Sequence, residues 1–116
     1  MGAEAFKRVA FGKTPEEAFS NACDEAREWY GKRPYTGSIK EKDTFTEIPE
    51  EEYKGKDRRK FANELISDGD DRVDDKWGPA GAVSLKGTQE AQEYREKNGL
   101  VGKHGAVWLF FGWASC

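Results

Sequence analysis

The chain has one histidine, two cysteines, one methionine and four prolines among 116 residues. Two cysteines are too few to staple a small domain. Neither Cys23 nor Cys116 sits in a Cys-x-x-Cys or Cys/His spacing, which excludes a disulfide scaffold and a structural zinc site. Histidine chemistry would have to pass through His104, which lies between Lys103 and Gly105 in a turn where a surface role is the simpler reading. No run approaches the ~20 apolar residues that cross a bilayer. The opening MGAEAFKRVAFGK also lacks the apolar stretch of a signal peptide. These absences predict a cytoplasmic protein without membrane contact. Charge of one sign is missing too: 19 Lys+Arg stand against 22 Asp+Glu, a net charge of -3. Phosphate neutralisation normally leaves a basic excess, so this balance argues against a dedicated nucleic-acid binder.

What is present is a polar chain with a concentrated aromatic content. Charged residues make up 35% and hydrophobic residues 36%, and mean hydropathy is -0.91. At this length a globular chain buries roughly two-thirds of its unfolded surface, enough for one core. A single globular domain over 1–116 is the expectation.

Periodicity predicts a main amphipathic helix over 14–30. Thr14, Pro15 and Glu17 combine an N-cap hydroxyl, a first-turn proline and a reciprocal acid, and Gly31 supplies the stop. Ala18, Phe19, Ala22, Cys23, Ala26, Trp29 and Tyr30 share its apolar stripe. A short strand is expected over 5–11, a turn at 32–35, a β-rich stretch over 36–48 and a loop at Glu50, Glu51 and Glu52. A second helix fits 57–67, followed by Gly69. A strand fits 82–85 after the Trp77-Gly78-Pro79 turn, and a polar helix fits 88–98 with only Ala91 and Tyr94 on its apolar side. In the last strand, 105–114, Ala106, Trp108 and Phe110 alternate with Val107, Leu109, Phe111 and Trp113, so both faces call for burial. Either it is a central strand covered twice by its own chain, or a partner covers one face. The fold class is α+β: a small antiparallel or mixed sheet of about four strands, with the main helix packed on one face and two shorter helices.

Four constellations bear on function. Gly12-Lys13-Thr14 resembles the end of a P-loop, but the upstream glycine is replaced by Lys7, so Thr14 reads as a helix cap. The acidic turn at 68–75 places Asp70, Asp71, Asp74 and Asp75 close together, and such carboxylates suit calcium or magnesium. They do not follow EF-hand spacing, and aspartates equally favour solvated turns. A metal-binding domain or metal-dependent enzyme on this turn, with His104 as base, is the alternative function. Lys56, Arg58, Arg59 and Lys60 form a basic run whose simplest partners are Glu50, Glu51 and Glu52; the weaker alternative is nucleic-acid binding, with Tyr35 and Tyr53 stacking on bases. Finally, Trp77, Trp108, Phe111 and Trp113 form an aromatic set that suits contact with a protein partner or self-association. A pocket, if formed, is expected between Trp77, its aspartates and Trp113.

Three stretches, Tyr35-Thr36-Gly37-Ser38-Ile39 with Lys42, 73–82 (VDDKWGPAGA) and 110–115 (FFGWAS), together resemble a group of small uncharacterised proteins encoded by tailed phages and prophages. The resemblance runs from the first helix to the C-terminus. It implies a phage-type origin and brings no activity, cofactor or catalytic residue with it. The leading expectation is a non-enzymatic interaction protein that uses its aromatic C-terminal strand and Trp77 turn, with no cofactor.

Overall fold

The structure, a computed structural model, describes residues 2–33 and 35–116. In chain order it holds β1 (Ala3–Gly12), α1 (Pro15–Tyr30), a 3-10 turn at Ile39–Glu41, β2 (Phe45–Glu47), a 3-10 turn at Glu50–Glu52, α2 (Arg58–Asp68), β3 (Ala80–Ser84), α3 (Gln89–Lys97) and β4 (Ala106–Ser115). The strands form one mixed sheet in the order β1, β4, β3, β2. Strand β4 runs antiparallel to both neighbours, and β2 and β3 are parallel. This is the α+β architecture expected.

Alternation along β4 decides where the two halves of the core lie. Trp108, Phe110 and Ala114 face α1, packing with Phe6, Ala10, Phe19 and Ala22. Val107, Leu109 and Phe111 face the other way and meet Ile48, Tyr53, Phe61, Val73 and Leu85. Each large apolar side chain buried in this way is worth ~1.5–3 kcal/mol. Both faces of the strand are therefore closed by the chain itself. On the α1 side Phe19, Phe45 and Phe110 meet mutually, with ring centroids 5.1 to 5.6 Å apart. On the other side Gly81 leaves room for a ring, since a Cβ there would come within 2.7 Å of both Phe111 and Val73.

Helix α1 begins as its sequence dictates. The Thr14 hydroxyl accepts from the Glu17 N–H at 3.1 Å, Pro15 opens the first turn, and Gly31 closes the helix at φ 65°. Gly12 is what lets it sit so close: a Cβ there would lie 2.3 Å from the Ala18 nitrogen. The glycine thus serves strand-to-helix packing rather than a phosphate. Trp29 departs from expectation. It lies on the same stripe as Ala22, seven residues earlier, yet is 80% exposed, because in the last turn it is Tyr30 that packs on the core while Trp29 stands at the β1 side of the helix, over a hollow beside Arg8.

Other departures are local. Only Phe45–Glu47 of the stretch 36–48 is strand, because the Ser38 hydroxyl caps the 3-10 turn at Ile39–Glu41 instead. The turn expected at 32–35 includes Pro34, which lies outside the described residues. Glu50–Glu52 is a 3-10 turn rather than an open loop, and it delivers Tyr53 to the core, where its hydroxyl accepts from the Ser84 N–H at 2.9 Å. Tyr53 is buried and cannot stack on a base. The two arginines of the basic run are engaged away from the acidic neighbours, while the charge of Lys56 still acts on Glu52. Arg59 grips Glu90 of α3 with two nitrogens, and Arg58 donates to the Ser84 and Lys56 carbonyls and lies over the Tyr53 ring. Sequence proximity misled here, because α3 folds back onto the start of α2.

Candidate contact site at the Trp77 turn

The four aromatics expected to form a contact surface are dispersed by the alternation of β4. Trp108 is 8% exposed and Phe111 is fully buried, on opposite faces of the sheet, and Trp113 is half-buried beside Phe111's cluster. The C-terminal strand is thus core rather than surface, which removes Trp108 and Phe111 from any contact patch. Trp77 alone among the four stands out from the molecule, at 62% exposure.

The turn that carries Trp77 is held from inside. Lys42 follows the 3-10 turn at Ile39–Glu41 and is only 3% exposed. Its ammonium donates to the carbonyls of Asp75 (3.2 Å), Lys76 (3.2 Å) and Gly78 (2.9 Å). Three donors meet three acceptors, so the buried charge is fully hydrogen-bonded. Burial nevertheless pushes the Lys42 amine below its ordinary pKa, with Asp75 opposing that shift. The Asp75 carboxylate closes the same turn by accepting from the Trp77 N–H at 2.8 Å. What fills the centre of this turn is a lysine cation belonging to the protein.

Beside Trp77 lies Tyr35, edge-on at 6.3 Å between ring centroids and 85° between planes. Tyr35 adopts φ 54°, a left-handed conformation that aromatic residues rarely take. The segment after it is braced: Thr36 donates to the Glu41 carboxylate through both its N–H (3.1 Å) and its hydroxyl (2.8 Å), and the Gly37 N–H donates to the Ser115 carbonyl. The Lys76 ammonium stands 5.4 Å from the Trp77 ring centre. The result is a knuckle of two exposed aromatic rings and one cation on hydrogen-bonded backbone, suited to stacking, apolar contact and cation–π recognition.

The aspartates proposed as cation ligands go separate ways. Asp70 is bound by Arg72, which also forks onto Glu52 at 2.7 and 2.9 Å; both carboxyls are held below their usual range by those hydrogen bonds. Asp75 caps the Trp77 turn, Asp74 lies against Gly69, and Asp71 faces solvent. Among the described residues no three His, Cys, Asp or Glu side chains converge as metal ligands. His104 is exposed in the loop before β4, whose Leu100, Lys103 and Gly105 carbonyls are tied to Arg95. It lines an open groove of about 1360 Å³ against α3. Cys23 is buried under α1, and desolvation raises its thiol pKa, which disfavours a reactive thiolate. A second hollow of about 540 Å³ lies between Arg8, Glu25, Glu28, Trp29 and Tyr30. Neither hollow touches Trp77 or Trp113, so the pocket expected between those residues is not where these form.

Sequence reasoning named Lys42 only as part of a resembling stretch and gave neither it nor Arg72 a structural role. Both sit in a charge-dense segment where any lysine or arginine has the same appearance, and only the fold selects which one turns inward. The class defined by these features is a small α+β domain with a four-stranded mixed sheet and an externally displayed aromatic turn. Compared with known proteins, the chain matches no protein-family model, no curated protein and no solved structure.

Proposed function

We propose that the chain is a non-catalytic interaction domain, of phage origin, that contacts a protein partner through Trp77 together with Tyr35 and Lys76. The observation that carries this reading is the exposure of Trp77 on a turn whose carbonyls are held by a buried lysine. Trp77 and Tyr35 expose two adjacent rings rather than one scattered side chain, and a turn whose backbone is already held loses little further entropy on binding. Tryptophan and tyrosine are also the side chains that most often dominate protein interfaces.

The test compares immobilised wild type with Trp77→Ala in capture from bacterial host extract. Circular dichroism of the variant should be unchanged, since the side chain packs mainly against Tyr35 and Lys76 at the surface. The expected result is a protein retained by wild type and lost, by at least about tenfold, with the variant, a hot-spot-sized effect. Equal capture by both, or capture by neither, overturns the reading.

A further inference from the structure

Strand β1 is ten residues long and forms one edge of the sheet, whereas the opposite edge, β2, is three residues long. The ladder shows which of its backbone groups point outward. The Leu85 N–H donates to the Val107 carbonyl, so odd residues of β4 face β3; the Cys116 N–H donates to the Gly2 carbonyl, so even residues face β1. With Ala3 opposite Ser115, the even residues of β1 bond inward, and the N–H and C=O groups of Ala3, Ala5, Lys7 and Val9 point outward. The same phase places the Phe11 carbonyl outside, where the Asn21 side chain caps it at 2.8 Å. Among the described residues nothing in the chain bonds the backbone of Ala3, Ala5, Lys7 or Val9 on that side. The charges that might guard the edge are turned onto the faces, Lys7 to Asn63 at 2.7 Å and Arg8 to Glu25 at 3.1 Å.

We infer that this edge pairs with the same edge of a second copy of the chain, about a two-fold axis passing beside Phe6. Charge favours one register, because it alone among the possible centres sets Glu4 against Arg8. Residues directly opposite in an antiparallel pair share a face, and only a few centres are available. A two-fold axis at Glu4, Lys7 or Arg8 would set that charge against itself. Centred on Phe6, Glu4 lies opposite Arg8 of the second copy, Ala5 opposite Lys7, and Ala3 opposite Val9, so the outward odd residues form the hydrogen-bonded pairs. Glu4, whose carboxylate rests over Gly37 in the single chain, swings to the edge to meet Arg8, which has donors to spare while it holds Glu25.

Trp29 supports the same centre. Helix α1 returns along β1, with Asn21 at Phe11 and Glu25 at Arg8. One further turn, ~6 Å along the helix, equals about two strand residues, which brings Trp29 level with Phe6. Trp29 is on the buried stripe but stands over the hollow of about 540 Å³ beside the edge. A two-fold partner brings its own Trp29 to that spot. Self-pairing joins two four-stranded sheets into one of eight and leaves the Trp77 knuckle free.

The experiment is the native mass of the purified chain, with variants. Wild type should weigh twice 13.1 kDa. Ala5→Pro, which removes an outward N–H and no inward one, should return the mass to that of one chain with circular dichroism unchanged. Glu4→Arg should raise the dimer Kd about tenfold or more, because two equivalent pairs turn repulsive together. Glu4→Arg combined with Arg8→Glu should recover it. Trp77→Ala should remain dimeric, which separates this inference from the proposed partner contact. A monomeric wild type, a dimer indifferent to Ala5→Pro, or a double variant no better than Glu4→Arg overturns it.

Discussion

A lysine ammonium is expensive to take out of water, and Lys42 is almost wholly buried, so its retention has to be explained by what it holds. It gathers three carbonyls of the turn at 75–78; that of Asp75 also accepts from the Gly78 N–H, whereas those of Lys76 and Gly78 have no other donor among the described residues. Replacing it by methionine keeps the volume of the stem and strands those acceptors. Lys42→Met is expected to cost about 1–3 kcal/mol, read from the urea midpoint of unfolding. Its tryptophan emission should also shift because the turn loses its internal brace, and that shift should vanish in a Trp77→Phe background, whereas Lys40→Met, at a half-buried position that holds no part of the turn, should leave the emission unchanged. In the sequence these two lysines look alike. The difference between them is one of position relative to a loop more than thirty residues away.

At the scale of elements, the informative contacts are those where a side chain had to be absent. Gly12 lets the strand-to-helix junction close, because a Cβ at that position would press on the Ala18 backbone at 2.3 Å. Backbone cannot rotate aside as a flexible side chain does. Gly12→Ala is therefore expected to lift the start of α1 from the sheet and cost about 1–3 kcal/mol, as overpacking does, measured by chemical unfolding. The helices themselves were legible in advance, since α1, α2 and α3 each carry a side-chain cap, from Thr14, Asp57 and Thr88, where such residues precede a periodic run. The region between α1 and α2 was less so. A three-residue edge strand and two 3-10 turns have no period long enough to read, and their conformation follows from docking Ile39, Ile48 and Tyr53 into the two sides of the core.

Across the whole molecule, the charge-dense middle of the chain is tied down by ion pairs between distant segments. Arg72 joins Glu52 and Asp70, and its hydrogen bonds depress both carboxyl pKa values. A carboxyl held below its unfolded value contributes stability that is fully present above that unfolded value, about pH 4. The contribution is lost as pH falls through the lower, folded value, because the unfolded chain takes up protons first. Unfolding midpoints should therefore drop in the acid range for wild type, and Arg72→Met should show a shallower acid limb from a lower plateau. Equal limbs for the two proteins would show that this network does not couple to folding. Both carboxylates are partly exposed, so the effect is expected to weaken in high salt.

The helices, the dual-faced last strand and the α+β class are legible in the order of residues, because caps and long apolar periods are local signals strong enough to persist in this fold. The sequence by itself also determined that β4 must be covered twice, since apolar residues occupy both of its phases. Which groups do the covering was decided only by the tertiary structure. Residues 48–85 close one side of β4, and that burial turned Trp108 and Phe111 from candidate contacts into core. The same packing left Trp77 outside, brought Lys42 beneath it and sent the aspartates to different partners. Ion pairs, buried cations and exposed aromatics depend on distances between remote segments, and those distances exist only once the chain has folded.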